Sequence, residues 1–353
     1  MTIELKNVTK RVGAEAHIYD TSVQFAETGF NVLLGETRAG KTTLIKLIAG
    51  LERPSSGEIW VKGRDVTGLS PQKRNVSLVH QFFVNYPNMT VFENIASPLR
   101  VAGVGRKERQ RRVEEAAELM RLTPMLKRRP SELSGGQQQR TALARAIVKD
   151  SDVVLFDEPL ANLDYKLREE LRDELPRLLA GRGAIVVYAT SEPHEALLLG
   201  GHTATMKQGR ITQFGETSSV FRQPNDLDTA RVFSDPPINA ASVTKQGHEI
   251  VMQGSRWAAP ASLANAPDGD YTLGLHPHAV TPVRESISAV QVQGTVIVTE
   301  LSGSESIAHF TRGEEDWVSQ SHGVHAFKVG ETHDFYFEAS RGLYFGRDGR
   351  LVA

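Results

Sequence analysis

The chain has 353 residues, enough for two or three domains and too many for a mini-protein. Its 41 basic and 42 acidic residues give a net charge of −1, which argues against a broad electrostatic surface for nucleic acid or anionic lipid. The sequence has no cysteine, which excludes disulfides, thiolate metal sites and cysteine nucleophiles, and no apolar run approaches the roughly 20 residues that span a bilayer.

The first two-thirds of the chain alternates short apolar runs with helical patterns, which predicts a mostly parallel α/β sheet with helices on its faces. Four runs are apolar almost throughout and are predicted as buried strands: Phe30–Leu34, Val76–Val79, Val153–Phe156 and Ala184–Tyr188. Residues Arg106–Leu122 predict a helix. Its basic residues alternate with acidic ones, so we interpret them as a solvated face rather than a nucleic-acid surface.

The pattern changes near Ser234–Pro237, where two prolines end the helical segments and short alternating stretches begin. We therefore expect one domain over residues 1–235, with a helical insert at about 85–150, and a small all-β domain over residues 236–353. Alternation places Val290, Val292, Val296 and Val298 on one buried strand face, and Phe335 and Phe337 on another.

A glycine-containing loop joins the strand Phe30–Leu34 to a predicted helix at Thr43–Leu51. Its spacing is that of the P-loop, in which backbone N–H groups and a helix N-terminus surround nucleotide phosphates. Lys41 is expected to reach the β- and γ-phosphates, and the Thr42 hydroxyl to bind Mg²⁺. The predicted phosphate-binding residues are Gly35, Thr37, Arg38, Ala39, Gly40, Lys41, Thr42 and Thr43.

An acidic pair follows the strand Val153–Phe156, at the end of a parallel strand where such sheets bind ligands. We expect Asp157 to hold Mg²⁺ and Glu158 to orient or deprotonate the attacking water. The pair alone could merely cap the next segment, but with the P-loop it predicts nucleotide hydrolysis.

A second phosphate-binding element is predicted at Leu133–Gln137, where Ser134, Gly135, Gly136 and Gln137 open a helix. One chain has no need of two such elements unless two chains face each other and complete each other's sites. With this pentapeptide the sequence resembles the nucleotide-binding subunit of an ABC transporter, a family that uses ATP and Mg²⁺.

The resemblance assigns three further segments. Gln81 matches the Q-loop glutamine, which contacts Mg²⁺ and the attacking water, and Ala161–Asp164 matches the D-loop, with Asp164 reaching the opposite subunit. Tyr86–Ile95 is similar to the segment that receives a permease helix in importers, although an ordinary loop is also consistent with it.

The C-terminal domain resembles the OB-like regulatory domain of importers of the maltose and glycerol-phosphate type, through Leu273–His278 and Ser302–Glu305. Tyr188–Ala196 and Ala230–Pro237 are most similar to one of the two paired ATPase subunits of bacterial glycerol importers.

Three positions depart from the family pattern. Ser191 stands where the switch histidine is usual, and serine is shorter and cannot carry a positive charge near pH 7. Arg38 replaces a glycine and either contacts phosphate or points into solvent, and we favour solvent. Val12 stands where an aromatic residue usually stacks on adenine, leaving Tyr19 as an alternative.

The composition of Met1–Arg11 is not that expected of a secretory leader. The resemblance implies a peripheral protein on the cytoplasmic face of the inner membrane. Expected partners are transmembrane permease subunits, a second, non-identical ATPase subunit and, through the complex, an extracytoplasmic solute-binding protein, but not nucleic acid. The alternatives are a homodimeric ATPase for maltose-like sugars or glycerol phosphate, a soluble ABC ATPase without a permease, and a non-hydrolysing ATP-binding regulator.

Overall fold

A computed structural model describes residues 2–27, 29–82, 84–161, 165–179 and 183–353. The chain forms two compact units, Met1–Ser218 and Ser219–Ala353, and helix α7 (Thr217–Arg222) spans the division. The division lies before the boundary expected near residue 236. Helix α8 (Leu227–Val232) belongs to the second unit because Ala230 packs there against Ile238 and Phe345.

The first unit contains ten strands and six helices within its described residues. In chain order they are β1 (Ile3–Val12), β2 (Glu15–Phe25), β3 (Phe30–Leu34), α1 (Lys41–Ala49), β4 (Ser56–Val61), β5 (Arg64–Asp65), β6 (Val76–Val79), α2 (Val91–Val101), α3 (Arg106–Leu119), α4 (Gly135–Ile147), β7 (Val153–Asp157), α5 (Tyr165–Leu179), β8 (Ile185–Thr190), α6 (Pro193–Leu199), β9 (His202–Lys207) and β10 (Arg210–Glu216). All four predicted strands are present as β3, β6, β7 and β8, and the predicted helices are α1, α3 and α4.

Two sheets build this unit. A six-stranded sheet has the order β10-β9-β3-β8-β7-β6, in which every neighbouring pair is parallel except β10 with β9. A four-stranded antiparallel sheet has the order β2-β1-β4-β5. The mostly parallel sheet confirms the predicted α/β class, while the antiparallel sheet was not predicted.

Helix α1 is the central element of the core between these sheets. Its Leu44, Ile45, Leu47 and Ile48 have no exposed surface, and they join one cluster with apolar side chains of β1, β7 and β8. A helix that is apolar on nearly all sides is stable only when it is buried on all sides. The helix carries the P-loop at its N-terminus, so this packing fixes the phosphate-binding loop.

The C-terminal end of α1 is held by a buried arginine. Arg74 is 3% exposed, and its guanidinium donates to the carbonyl oxygens of Leu47 (2.8 Å) and Ile48 (2.9 Å). It also donates to Thr67 O (3.0 Å) and Leu69 O (2.9 Å). These bonds satisfy carbonyls that a helix end leaves without intrahelical partners.

The second unit is built on two five-stranded antiparallel sheets with the orders β13-β12-β11-β14-β20 and β15-β19-β16-β17-β18. The strands are β11 (Asn239–Gln246), β12 (Glu249–Met252), β13 (Ser255–Ala258), β14 (Gly269–Leu275), β15 (Val280–Thr281), β16 (Val290–Leu301), β17 (Glu305–Arg312), β18 (Glu315–His322), β19 (Thr332–Phe337) and β20 (Leu343–Phe345). The arrangement confirms the expected OB-like all-β domain.

The core of this unit is aromatic. The rings of Phe310 and Phe335 stack at 3.9 Å, and Trp317 and Phe337 lie beside them. The valine prediction for β16 is wrong at one position. A bulge between Val296 and Val298 shifts the register, so Val298 is 49% exposed while Val296 is 1% exposed.

None of the described helices is long and apolar enough to cross a membrane.

We expect Arg74→Met to lower the free energy of unfolding by about 3 kcal/mol, because four hydrogen bonds from the guanidinium to carbonyl oxygens at and near the end of α1 are lost. Chemical denaturation of the full chain measures this change. Lys73→Met, which alters the exposed neighbouring residue, serves as the control and should change stability by less than about 0.5 kcal/mol. Equal effects of the two substitutions would contradict the capping role of Arg74.

A nucleotide cavity at the carboxyl edge of the sheet

The carboxyl ends of the parallel strands bring the predicted site residues to one edge of the sheet. The P-loop follows β3, Gln81 lies two residues after β6, Glu158 follows β7, and Ser191 follows β8. Since β3, β8, β7 and β6 are consecutive neighbours in one parallel register, the segments that follow them lie side by side.

A cavity of about 770 Å³ opens at this edge. Its lining includes residues of the P-loop and α1 together with Gln81 and Glu158, and on its other side residues of β2 and the β9–β10 turn. The lining residues from the predicted site are Thr37, Arg38, Gly40, Lys41, Thr42, Thr43, Gln81 and Glu158. The structure therefore assembles most of the predicted phosphate site in one place.

The P-loop backbone leaves no room for side chains at two points. A Cβ on Gly35 would lie 2.5 Å from the carbonyl oxygen of Met206 and 2.9 Å from the Ala39 side chain. Gly40 has φ +105°, a backbone conformation that favours glycine, and it directly precedes α1. The buried Ala39 donates its N–H to Glu36 O at 3.1 Å, which closes the loop on itself.

Lys41 is buried, and its ammonium group lies at the centre of the site. Lys41 Nζ donates to the carbonyl oxygens of Gly35 (2.7 Å) and Glu36 (3.0 Å) and lies 3.1 Å from Glu158 Oε1. The other carboxylate oxygen, Glu158 Oε2, accepts a hydrogen bond from Gln81 Nε2 at 3.2 Å. One lysine, one carboxylate and one amide thus form a connected chain across the cavity.

Asp157 and Thr42 form the second pair in the site. Thr42 Oγ1 donates to Asp157 Oδ1 at 2.9 Å, which joins the first turn of α1 to the end of β7. Asp157 is 1% exposed, and within the described part of the chain its other oxygen, Oδ2, is buried without a hydrogen-bond partner. Burial raises the pKa of Asp157, and the Thr42 hydrogen bond opposes that shift.

This pair fits Mg²⁺. The ion prefers oxygen ligands, and it commonly binds through one or two carboxylates together with substrate phosphates and waters. A hydroxyl and a carboxylate with a free buried oxygen match that donor set. In the described parts of the chain no group of three or more His, Asp or Glu side chains could hold a metal by itself, so substrate phosphates would complete the coordination.

The departures from the family pattern have clear positions. Arg38 is exposed, lines the cavity and has φ +69°, so it occupies a left-handed conformation in which a glycine has no steric cost. Ser191 is exposed and is not among the described residues lining the cavity, and His194 is likewise exposed. Val12 is 52% exposed and is also outside that lining, whereas Tyr19 belongs to it.

The Leu133–Gln137 element is placed on the surface. Ser134 caps α4, accepting a hydrogen bond from Gln137 N (3.4 Å) while the Gln137 side chain accepts one from Ser134 N (3.1 Å). Ser134 and Gly135 are exposed, and the described lining of the chain's own cavity includes none of residues 134–137. Asp164 and the rest of the D-loop lie outside the described residues except for Ala161.

Sequence reasoning missed one buried acid near the site. Glu195 is 4% exposed and accepts hydrogen bonds from Thr190 Oγ1 (2.7 Å) and Tyr188 Oη (3.0 Å). Burial is the main cause of its raised pKa. These bonds tie α6 to the end of β8 and so position the segment that contains Ser191. The sequence contains an indication of this buried acid, because Glu195 interrupts an otherwise apolar face of α6.

Comparisons with known proteins agree with this geometry. The sequence profile of the ABC transporter family matches residues 18–161. Over 99% of its length the chain is 34% identical to the sn-glycerol-3-phosphate import ATP-binding protein UgpC of Yersinia pestis, covering 98% of that protein. The chain belongs to the ABC transporter family. The UgpC protein of Rhizobium meliloti is 37% identical over 88% of this chain and 87% of its own length.

Solved structures give the same result. The dimeric post-hydrolysis structure of the ATP-binding cassette MJ0796 bound to ADP and Pi superposes with a TM-score of 0.56 at 28% identity, covering 61% of this chain and 98% of that one. The resemblance stated from the sequence is confirmed. The chain is the ATP-binding subunit of an ABC importer and hydrolyses ATP with Mg²⁺, coupled to transport.

Asp157→Asn should make the protein without nucleotide more stable at pH 7.5, by on the order of 1 kcal/mol, while abolishing the Mg²⁺ dependence of ATP binding. Burial raises the pKa of Asp157, so the ionised carboxylate destabilises the fold once the pH exceeds that pKa. The gain should therefore shrink as the pH falls through the raised pKa. The asparagine oxygen can still accept the Thr42 hydrogen bond.

Denaturation at several pH values without Mg²⁺ measures this gain. Asp20→Asn, at an exposed position of β2, is the control and should show no comparable gain. A variant at Asp157 that is less stable than the wild type at pH 7.5 would contradict the argument.

Proposed function

We propose that this chain hydrolyses ATP at an interface with a second ATPase subunit. The cradle around Lys41, which is the P-loop of residues 35–42, would bind the triphosphate. Residues 134–137 of the opposing subunit would then close over the bound triphosphate. The observation that carries this proposal is the placement of Ser134 and Gly135, which are exposed on α4 and outside the cavity of their own chain. A helix N-terminus with free donors is suited to a phosphate presented by another molecule.

Five residues of the site have distinct roles in this proposal. Lys41 leaves its ion pair with Glu158 and binds the β- and γ-phosphates. The Glu158 carboxylate then orients the attacking water or accepts a proton from it. Thr42 and Asp157 hold Mg²⁺, which neutralises charge on the phosphates. Gln81 donates a hydrogen bond to Glu158, so a change in the position of this carboxylate would move Gln81 and the segment that follows it. Positioning and charge stabilisation supply the catalysis.

The segment after Gln81 supports a contact with permease subunits at the cytoplasmic face of the inner membrane. Phe82 is 72% exposed, Val84 62% and Tyr86 47%, an unusual group of apolar side chains on a loop. Because this loop begins at the glutamine bonded to Glu158, hydrolysis and permease movement would be joined through a few residues. An extracytoplasmic solute-binding protein would complete the transporter.

The cargo we propose is a small polyol, with glycerol favoured by the sequence resemblance. The relatives named above are described as sn-glycerol-3-phosphate import proteins, which makes that phosphate the second candidate. ATP-dependent uptake into vesicles containing the complete transporter separates the two. Uptake of glycerol alone supports the first, and uptake of the phosphate ester alone would overturn it.

We also propose that the second ATPase subunit differs from this chain. Ser191 in place of a histidine and Arg38 in a left-handed position both weaken this chain's own site, while Ser134–Gln137 remains suited to serve a partner. A homodimer is the alternative. Proteins co-purified with the tagged chain from its native membrane decide this, since a homodimer would contain no second ATPase.

Ser134→Arg should leave ATP binding to the isolated chain unchanged but reduce ATPase activity of the assembled transporter at least tenfold, because the substituted side chain blocks the opposing site. Equilibrium binding and steady-state hydrolysis measure the two effects. Lys41→Ala is the matched comparison and should lose ATP binding in the isolated chain. Weakened ATP binding by the isolated Ser134 variant would refute the shared site.

Ser191→His should raise single-turnover hydrolysis at this chain's site by about 10²-fold, the gain expected from one added transition-state donor. Rapid-quench measurements on the assembled transporter test this, with Ser191→Ala as the variant that should bring no gain. If both substitutions leave the rate unchanged, the asymmetry proposed between the two sites is wrong.

A further inference from the structure

One part of the nucleotide cavity has a lining that the phosphate chemistry does not use. It consists of Glu15, Ala16, His17 and Tyr19 from β2, with Gln208 and Gly209 from the turn between β9 and β10. All six residues belong to the first unit, and they give this part of the cavity carboxylate, imidazole, phenol and amide groups.

This wall is fixed directly to the P-loop. Gly209 N donates to Ala39 O at 2.9 Å, and Tyr19 N donates to Gly209 O at 2.9 Å. The P-loop also packs closely on β2, since a Cβ on Gly40 would lie 3.2 Å from His17 O. A ligand whose phosphates lie on the P-loop must therefore extend along this wall at a set distance.

The charged groups of the cavity determine which end of a bound nucleotide lies against this wall. The P-loop part contains the Lys41 ammonium group and the N-terminus of α1, both of which favour phosphate. The part of the lining from β2 contains the Glu15 carboxylate, 3.9 Å from His17 Nε2, which repels phosphate but can accept hydrogen bonds from hydroxyl or amino groups. The nucleoside part of ATP suits this part of the lining.

The wall also offers flat rings for a base. The His17 side chain is 41% exposed, and Tyr19 is 39% exposed. The Arg210 guanidinium lies 3.9 Å from the centre of the Tyr19 ring and covers one of its faces, which holds the ring in place. Val12 has neither a ring nor a place in the described lining, and it sits beside the turn that joins β1 to β2, paired with Glu15.

We propose that His17 and Tyr19 hold the nucleoside part of ATP in this chain, in place of the contact expected at residue 12. His17 stacks on the base, Tyr19, braced by Arg210, bounds the pocket, and Glu15 lies within reach of the ribose hydroxyls. The position of the nucleotide base is thus set by β2 rather than by the end of β1.

Two ligands separate this contact from phosphate binding. The full chain is titrated with ATP and with inorganic tripolyphosphate, both with Mg²⁺, because tripolyphosphate has the phosphates but no nucleoside. His17→Ala should weaken ATP binding about tenfold, in the range of one lost base stack, and leave tripolyphosphate binding unchanged. Tyr19→Ala should act in the same direction, and His17→Phe should retain most of the affinity for ATP.

His322→Ala, on an exposed side chain of the second unit, is the matched control and should alter neither affinity. The proposal is overturned if the wild-type chain binds both ligands equally, if His17→Ala weakens both to the same extent, or if Val12→Ala selectively weakens ATP while His17→Ala does not. Thermal unfolding of each variant, compared with the wild type, separates a loss of affinity from a loss of folded protein.

Discussion

The structure of the site depends on the parallel register of β3, β8, β7 and β6. Four segments that are far apart in the sequence must end at one edge of the sheet, because parallel neighbours carry their carboxyl ends together. The hydrogen bond from Thr42 to Asp157 shows the precision that results, since it joins residues 115 positions apart at 2.9 Å. The buried helix α1 makes this placement rigid, with the P-loop at one end and the Arg74 hydrogen bonds at the other.

Two electrostatic features of the site suit it to a cation and a triphosphate. Among the described residues, Asp157 Oδ2 is buried without a hydrogen-bond partner, and a bound cation would offset the free-energy cost of that burial. Lys41 and Glu158 instead satisfy each other at 3.1 Å, so the charges that a triphosphate requires are already in place and balanced. In the proposed mechanism, substrate binding would exchange one ion pair of Lys41 for another, and this would change the partners of Glu158, which also accepts the hydrogen bond from Gln81.

Much of this fold and most of the phosphate site could be predicted because they depend on local pattern. Val153–Phe156 is a continuous apolar run, Phe30–Leu34 is apolar except for Asn31, and the P-loop has fixed spacing. What could not be predicted depends on residues distant in sequence. The role of Arg74 depends on its contact with the carbonyl oxygens of α1, which are distant in the sequence. The exposure of Val298 results from a β-bulge, which the alternation of apolar and polar residues does not predict. The contribution of His17 to the cavity required the pairing of β1 with β2 to be known.

The two phosphate-binding elements of this chain differ in how they are supported. The cradle around Lys41 is built from buried backbone and a buried helix, whereas Ser134 and Gly135 stand exposed on α4 and are ordered chiefly by a capping box. The capping box satisfies the backbone N–H groups of Ser134 and Gln137 only. We propose that the other N–H groups of this first turn bind a phosphate brought by another subunit. Arg38 lines the chain's own cavity and Ser191 directly follows β8, so neither departure lies in this exposed element. In the proposed dimer, a change that slows one site would therefore not need to affect the other.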